Sequence, residues 1–204
     1  MNRCLTDEIM QSILKTLFYN MILNHKACRD ILPLFLSLLM MTVSCKSDPE
    51  TENPVFDAFL NTILSESVPF IAVDSLSALN DENYLLLDAR EEEEFLVSHI
   101  PGAKHVGYNV FTKDSLPDAD KNQPIILYCS VGYRSEKIGE KLQEAGYTNV
   151  RNLYGGIFEW VNRGGELVNE TGKTDLIHPY SKIWGVWLKE GEKAYSLQEK
   201  RVDE

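Results

Sequence analysis

The chain has 204 residues, 44% hydrophobic and 25% charged, which suits one globular domain with additions and excludes two full domains. The formal net charge of −11 argues against nucleic acid as a partner and against a polybasic grip on anionic lipid. Any anionic substrate has to be held by local positive potential. The four cysteines, Cys4, Cys28, Cys45 and Cys129, are widely and irregularly spaced with no CxxC pair. That spacing disfavours a zinc site and a thioredoxin-type dithiol, and four cysteines are too few for a disulfide scaffold. No metal site is expected.

Residues 31–44 form an apolar run of about 14 residues, shorter than the roughly 20 that span a bilayer as a helix. Lys26 and Arg29 precede it, and small residues follow up to Ser44 and Cys45, as around the apolar core of a secretory signal. The segment resembles a bacterial lipoprotein signal at Val43, Ser44 and Cys45, with Thr42 where such signals usually carry Leu. The resemblance implies a signal region over residues 1–44, lipidation of Cys45, and a place in the cell envelope, periplasmic or anchored to the outer membrane. A membrane would then be reached only through the lipid. Met21 is the expected start, since it leaves a short basic segment before the apolar run. Residues 45–65 open polar and proline-bearing and are expected to be a tether.

From there strand and helix signals alternate. Residues 70–73 read as a short strand, with a brief helix capped by Asp74 or Ser75 through Leu79. Residues 84–89 are a continuous apolar strand of the kind buried on both faces. Glu91 to Ser98 is an acidic helix whose four glutamates, 91–94, fall in its first turn. A turn at residues 100–103 leads to a short strand at 104–108 and a polar loop at 111–120. Residues 124–129 are the strongest strand, followed by an amphipathic helix from Ser135 to Ala145 with Gly146 at its end. A last strand spans 149–153, and Gly155-Gly156 open a helix that runs past Trp160. In the tail, Ile183, Trp184, Trp187 and Leu188 recur at helical spacing and predict a short packing helix. The pattern implies an α/β fold with a mostly parallel sheet covered on both faces, whose ligands bind at the carboxyl ends of the strands.

Cys129 stands at such an end. In Cys129-Ser130-Val131-Gly132-Tyr133-Arg134-Ser135 a strand closes, a tight turn follows and a helix begins. Successive amides of such a turn converge into an anion nest, and the helix N-terminus and Arg134 add positive charge. These features favour the thiolate, the form a nucleophilic cysteine needs. Arg134 has two readings: a ligand for an anionic donor, or an ion pair that orders the loop. Arg90 and Glu94 have the i,i+4 spacing of a local ion pair. Asp88 is expected to brace the loop by hydrogen bonds, His99 to tie a turn, and Trp160 to belong to the core.

The chain resembles the rhodanese-like sulfurtransferase family over residues 66–168. Four ordered segments carry the resemblance: Asp88-Ala89-Arg90 with Glu94-Phe95, His99-Ile100-Pro101-Gly102-Ala103, Cys129-x-x-Gly132-x-Arg134-Ser135, and Gly155-Gly156 with Trp160. The resemblance implies a three-layer α/β fold around a five-stranded, mostly parallel sheet flanked by helices. Residues 169–204 are then an extension that packs on the domain. It further implies a catalytic Cys129 that carries sulfane sulfur as a persulfide and needs no cofactor. Residues 130–135 would bind substrate, and Asp88 and Arg90 would support the loop. The partners are a small sulfur donor and a thiophilic acceptor, and a protein acceptor is compatible with the site. The Cys-x4-Arg spacing is one residue shorter than the Cys-x5-Arg of related phosphatases and arsenate reductases, which favours a bound sulfur over a phosphate. A non-turnover persulfide carrier or redox-sensing module is the competing reading.

Overall fold

The computed structural model describes residues 49–79, 83–112, 116 and 120–196. The signal region, its start at Met21, and Cys4, Cys28 and Cys45 lie outside the described residues. Five parallel strands form the central sheet: β1 (Phe70–Ile71), β2 (Leu85–Asp88), β3 (Lys104–His105), β4 (Ile125–Tyr128) and β5 (Val150–Leu153). Their spatial order is β1-β5-β4-β2-β3. The apolar strands β2 and β4 pair side by side at the centre, with Leu87 opposite Leu127 and Asp88 opposite Tyr128. Both carry side chains buried on the two faces, as continuous apolar runs require.

The helices around the sheet are α1 (Pro54–Ile63), α2 (Val73–Ser77), α3 (Glu92–Val97), α4 (Tyr133–Glu144) and α5 (Gly156–Asn162). One face of the sheet presents Leu86, Ile126 and Tyr128 to Phe56 and Leu60 of α1 and to Ile157 and Phe158 of α5. The other presents Leu87, Leu127 and Cys129 to Ile138 and Leu142 of α4. The strands' period of two therefore places alternate residues in the two cores. Helix α4 ends as expected: Gly146 has φ +92, its N–H donates to the Gln143 carbonyl, and Tyr147 N–H donates to the Leu142 carbonyl.

Two expectations need correction. The tether expected over residues 45–65 contains α1. Asn53 caps it through the Val55 N–H, Pro54 occupies its first turn, and Phe56 and Leu60 are buried. The polar opening of this segment masked an apolar stripe at helical spacing. The tail forms a single 3-10 turn at Trp184–Trp187 in place of the expected amphipathic helix. It also adds strands β6 (Leu167–Asn169), β7 (Gly172–Thr174), β8 (Leu176–Ile177) and β9 (Glu192–Lys193). β6 and β7 form a hairpin turned by Gly172 at φ +112. Trp187 stacks on Phe56 and on Phe59, each at 5.0 Å between ring centroids, so α1 and the tail are packed together through aromatic rings. No helix among the described residues is long and apolar enough to cross a membrane.

Candidate active site

Cys129 is a free, buried cysteine immediately after β4. Its loop turns at Gly132, whose φ of +111 is a region a side chain resists. The Gly132 N–H donates to Cys129 Sγ at 3.2 Å. Helix α4 begins at the next residue, so the positive end of its dipole lies at the sulfur.

The loop keeps its shape because outside donors take its carbonyls. Ile157 and Phe158 N–H, in the first turn of α5, donate to the carbonyls of Cys129 (2.9 Å) and Ser130 (3.1 Å). Asn152 Nδ2 donates to the Gly132 carbonyl at 2.9 Å, and Ser135 Oγ donates to Asn152 Oδ1 at 2.7 Å. With the carbonyls turned outward, the amide edge of the turn is left for the sulfur. Gly156 makes this approach feasible: a Cβ there would stand 2.4 Å from the Cys129 carbonyl oxygen.

The charged groups pair differently from the sequence expectation. Arg90 does not pair with Glu94. Its guanidinium binds Asp88 through Nε (3.0 Å) and Nη2 (2.6 Å), and Nη2 also donates to the Ser98 carbonyl. Glu94 instead accepts from Arg134, with Nη1 at 2.6 Å and Nη2 at 2.9 Å, and from Ser130 Oγ at 3.0 Å. The chain turns Glu94 toward the loop, and Asp88 is the nearer acid for Arg90. Burial alone would raise the Glu94 carboxyl, but hydrogen bonds and charge from Arg134 outweigh it and hold the carboxyl below its ordinary value. Burial likewise opposes the Arg134 charge, and Glu94 and Cys129 more than restore it, so its pKa is raised. Of the two readings of Arg134, the ion pair that orders the loop describes its geometry.

Asp88 also gives no side-chain hydrogen bond to the loop. It binds Arg90 and the Tyr128 hydroxyl, and burial together with Asp88 pushes that phenol well above its ordinary pKa. Ser135 is fully buried, its hydroxyl is bonded to the Gly132 carbonyl and to Asn152, and it is not among the residues that line the cleft. His99 ties its turn, with Nδ1 3.1 Å from the Phe95 carbonyl. Trp160 is bound to the Glu166 carbonyl through Nε1.

A cleft of about 80 Å³ opens beside Cys129, lined by loop residues 129–131, 133 and 134 and by Tyr180 and Trp184. The loop part was legible in the sequence. Glu94, Asn152 and Gly156 were not assigned there as site residues, although Glu94 and Gly156 stood in segments that carried the resemblance. Tyr180 and Trp184 come from the tail, where the tryptophan pair read as ordinary packing. Larger hollows lie elsewhere, one of about 880 Å³ beside α5 and β7, and none of the cysteine-loop residues lines them. No group of histidine, cysteine and acidic residues suited to a metal occurs among the described residues.

Residues 72–163 match the family model of the rhodanese-like domain. The chain is 33% identical over 101 residues to a tRNA uridine(34) hydroxylase of Erwinia tasmaniensis, a match covering 47% of this chain and 29% of that protein. It is 28% identical over 116 residues to the thiosulfate:glutathione sulfurtransferase of Saccharomyces cerevisiae, covering 51% of this chain and 84% of that one. It is 29% identical over 101 residues to the putative sulfur carrier protein YrkF of Bacillus subtilis, covering 48% and 54%. The chain thus spans less than two thirds of the Erwinia and Bacillus proteins.

Proposed function

From the premise that residues 72–163 are a rhodanese-like domain, we propose that the protein is a sulfurtransferase that passes sulfane sulfur, from a donor such as thiosulfate, through a persulfide on Cys129. The observation that carries this reading is the Cys129 sulfur itself: free, at the end of β4, bound by the Gly132 amide at 3.2 Å and open to a small cleft.

The reaction has two displacements. The Cys129 thiolate attacks the outer sulfur of thiosulfate. An Sγ–S bond forms, the S–S bond of the donor breaks, and sulfite leaves with the bonding pair. The loop amides and the α4 dipole stabilise the negative terminal sulfur of the persulfide. An acceptor nucleophile, such as cyanide or a thiolate, then attacks that sulfur and the Cys129 thiolate departs. Ping-pong kinetics follow. The Cys-x4-Arg spacing supports sulfur over phosphate, and Glu94 already balances the Arg134 charge that a bound phosphate would draw on.

A thiosulfate–cyanide assay separates the readings. Repeated turnover with release of thiocyanate supports the enzyme. A single persulfidation without turnover supports a carrier, the role named for the Bacillus relative. Hydrolysis of an aryl phosphate that Cys129→Ser abolishes would revive the phosphatase. The reading extends to location: the Val43-Ser44-Cys45 pattern supports a lipid anchor on Cys45 and a place in the bacterial envelope.

A further inference from the structure

The tail closes one side of the cleft at Cys129, and it lies beyond the residues that match the family. Tyr180 has φ +61, the left-handed region that costs a non-glycine residue about 1 kcal/mol or more and persists only where its surroundings impose it. Its amide donates to His178 Nδ1 at 3.0 Å. Burial holds His178 below its ordinary pKa, which keeps that nitrogen an acceptor at neutral pH. Tyr180 nevertheless remains 47% exposed, so core packing does not demand its position. It lies over the Arg134 guanidinium at 4.8 Å and meets Trp184 edge-on at 6.0 Å. Trp184 is fixed from behind by the edge of Phe59 at 5.5 Å, and its turn is closed by Gly185 N–H on the Ser181 carbonyl.

This wall changes what the cleft offers. Arg134 is the charged member of the lining, and Glu94, Ser130 and the Tyr180 ring occupy it. An anion entering the cleft meets the loop amides and a guanidinium whose charge Glu94 already balances. An apolar group meets two aromatic rings, with exposed Tyr133, Ile183 and Val186 also on the loop and tail. A volume of about 80 Å³ exceeds what one water needs but is smaller than a cavity that encloses a benzene ring, so the cleft takes the thiol and part of the group that bears it.

We infer that Tyr180 and Trp184 are specificity-determining residues that select, for the second displacement, a thiol acceptor carried on an uncharged apolar or aromatic group. This rests on the persulfide reading of Cys129. The acceptor thiolate attacks the terminal persulfide sulfur, its S–S bond forms as the Sγ–S bond breaks, and the Cys129 thiolate leaves.

The test loads Cys129 with sulfur and follows its loss by quenched intact mass after addition of benzyl mercaptan or 2-mercaptoethanesulfonate. Rates are divided by the thiolate fraction and by the uncatalysed rates with a small persulfide. The corrected benzyl-to-sulfonate ratio is expected to be about tenfold in the native protein, on the order of one aromatic contact. It should fall toward unity in Tyr180→Ala and in Trp184→Ala and survive in Tyr180→Phe. The exposure of Tyr180 makes that variant readable even where loss of Trp184 loosens the tail. A native ratio near unity, or one that both alanine variants keep, overturns the inference while leaving the persulfide reading standing. Failure of Cys129 to take up sulfur at all overturns both.

Discussion

Gly156→Ala is expected to unfold or disable the protein, although it adds one methyl group. The new Cβ would stand 2.4 Å from the Cys129 carbonyl oxygen and 2.7 Å from both C and O of Ser130. Those atoms are backbone, so no side chain can swing aside. They are also the carbonyls that Ile157 and Phe158 N–H hold, so relief of the clash must break those bonds or move the loop. The φ of +59 adds its own strain for alanine. Overpacking and strain together predict a loss of about 3 kcal/mol or more. In whatever remains folded, a sulfur displaced by roughly 1 Å costs on the order of 100-fold in the rate of persulfide formation. Gly164→Ala is the control, since Gly164 has φ +73 with nothing within 4 Å of its Cβ. Strain alone predicts about 1 kcal/mol there. Urea unfolding of the two variants checks this; equal losses would show that the approach of α5 to the loop is not tight.

Glu94→Ala should be nearly as damaging. Glu94 is 3% exposed and bridges Arg134 and Ser130. Its removal leaves a guanidinium without a counter-charge at the cysteine loop, and breaking a buried pair from one side costs about 3 kcal/mol. Replacing both partners, as in Glu94→Leu with Arg134→Met, should recover most of that stability, because no buried charge is then stranded. Since the folded Glu94 carboxyl lies below its ordinary value of 4.5, its contribution is complete above that pH and is lost as pH falls through the lower folded value. Unfolding free energies of native and Glu94→Ala protein should therefore differ most at neutral pH and converge under acid. A constant difference across that range would show that the pair is not what Glu94 contributes.

The cysteine loop could be read from the sequence because its determinants are contiguous. A strand, Cys129, Gly132 and a helix start fall within a few residues, so local rules suffice. The charge pairs could not be read that way. The i,i+4 rule pointed Arg90 at Glu94, but the rule describes neighbours on one helix. Arg90 lies outside α3, which begins at Glu92, and the true partner of Glu94 is 40 residues away. Asn152 gave no signal, being one polar residue in a short strand whose amide happens to meet Gly132. Helix α1 was hidden because a polar, proline-bearing start resembles a tether, while Phe56 and Leu60 acquire meaning only once the sheet, α5 and the tail supply the residues they pack on. The aromatic wall is the furthest from local reading. Trp184 at helical spacing looks like packing, and only the path of the tail, with Tyr180 at positive φ, carries it to Cys129.

The most direct test is the intact mass of the protein after incubation with thiosulfate and removal of excess donor. The persulfide account predicts a gain of about 32 Da, one sulfur, on Cys129, reversed by cyanide or a thiol and absent from Cys129→Ser. An unchanged mass in folded native protein, or the same gain in Cys129→Ser, would contradict it.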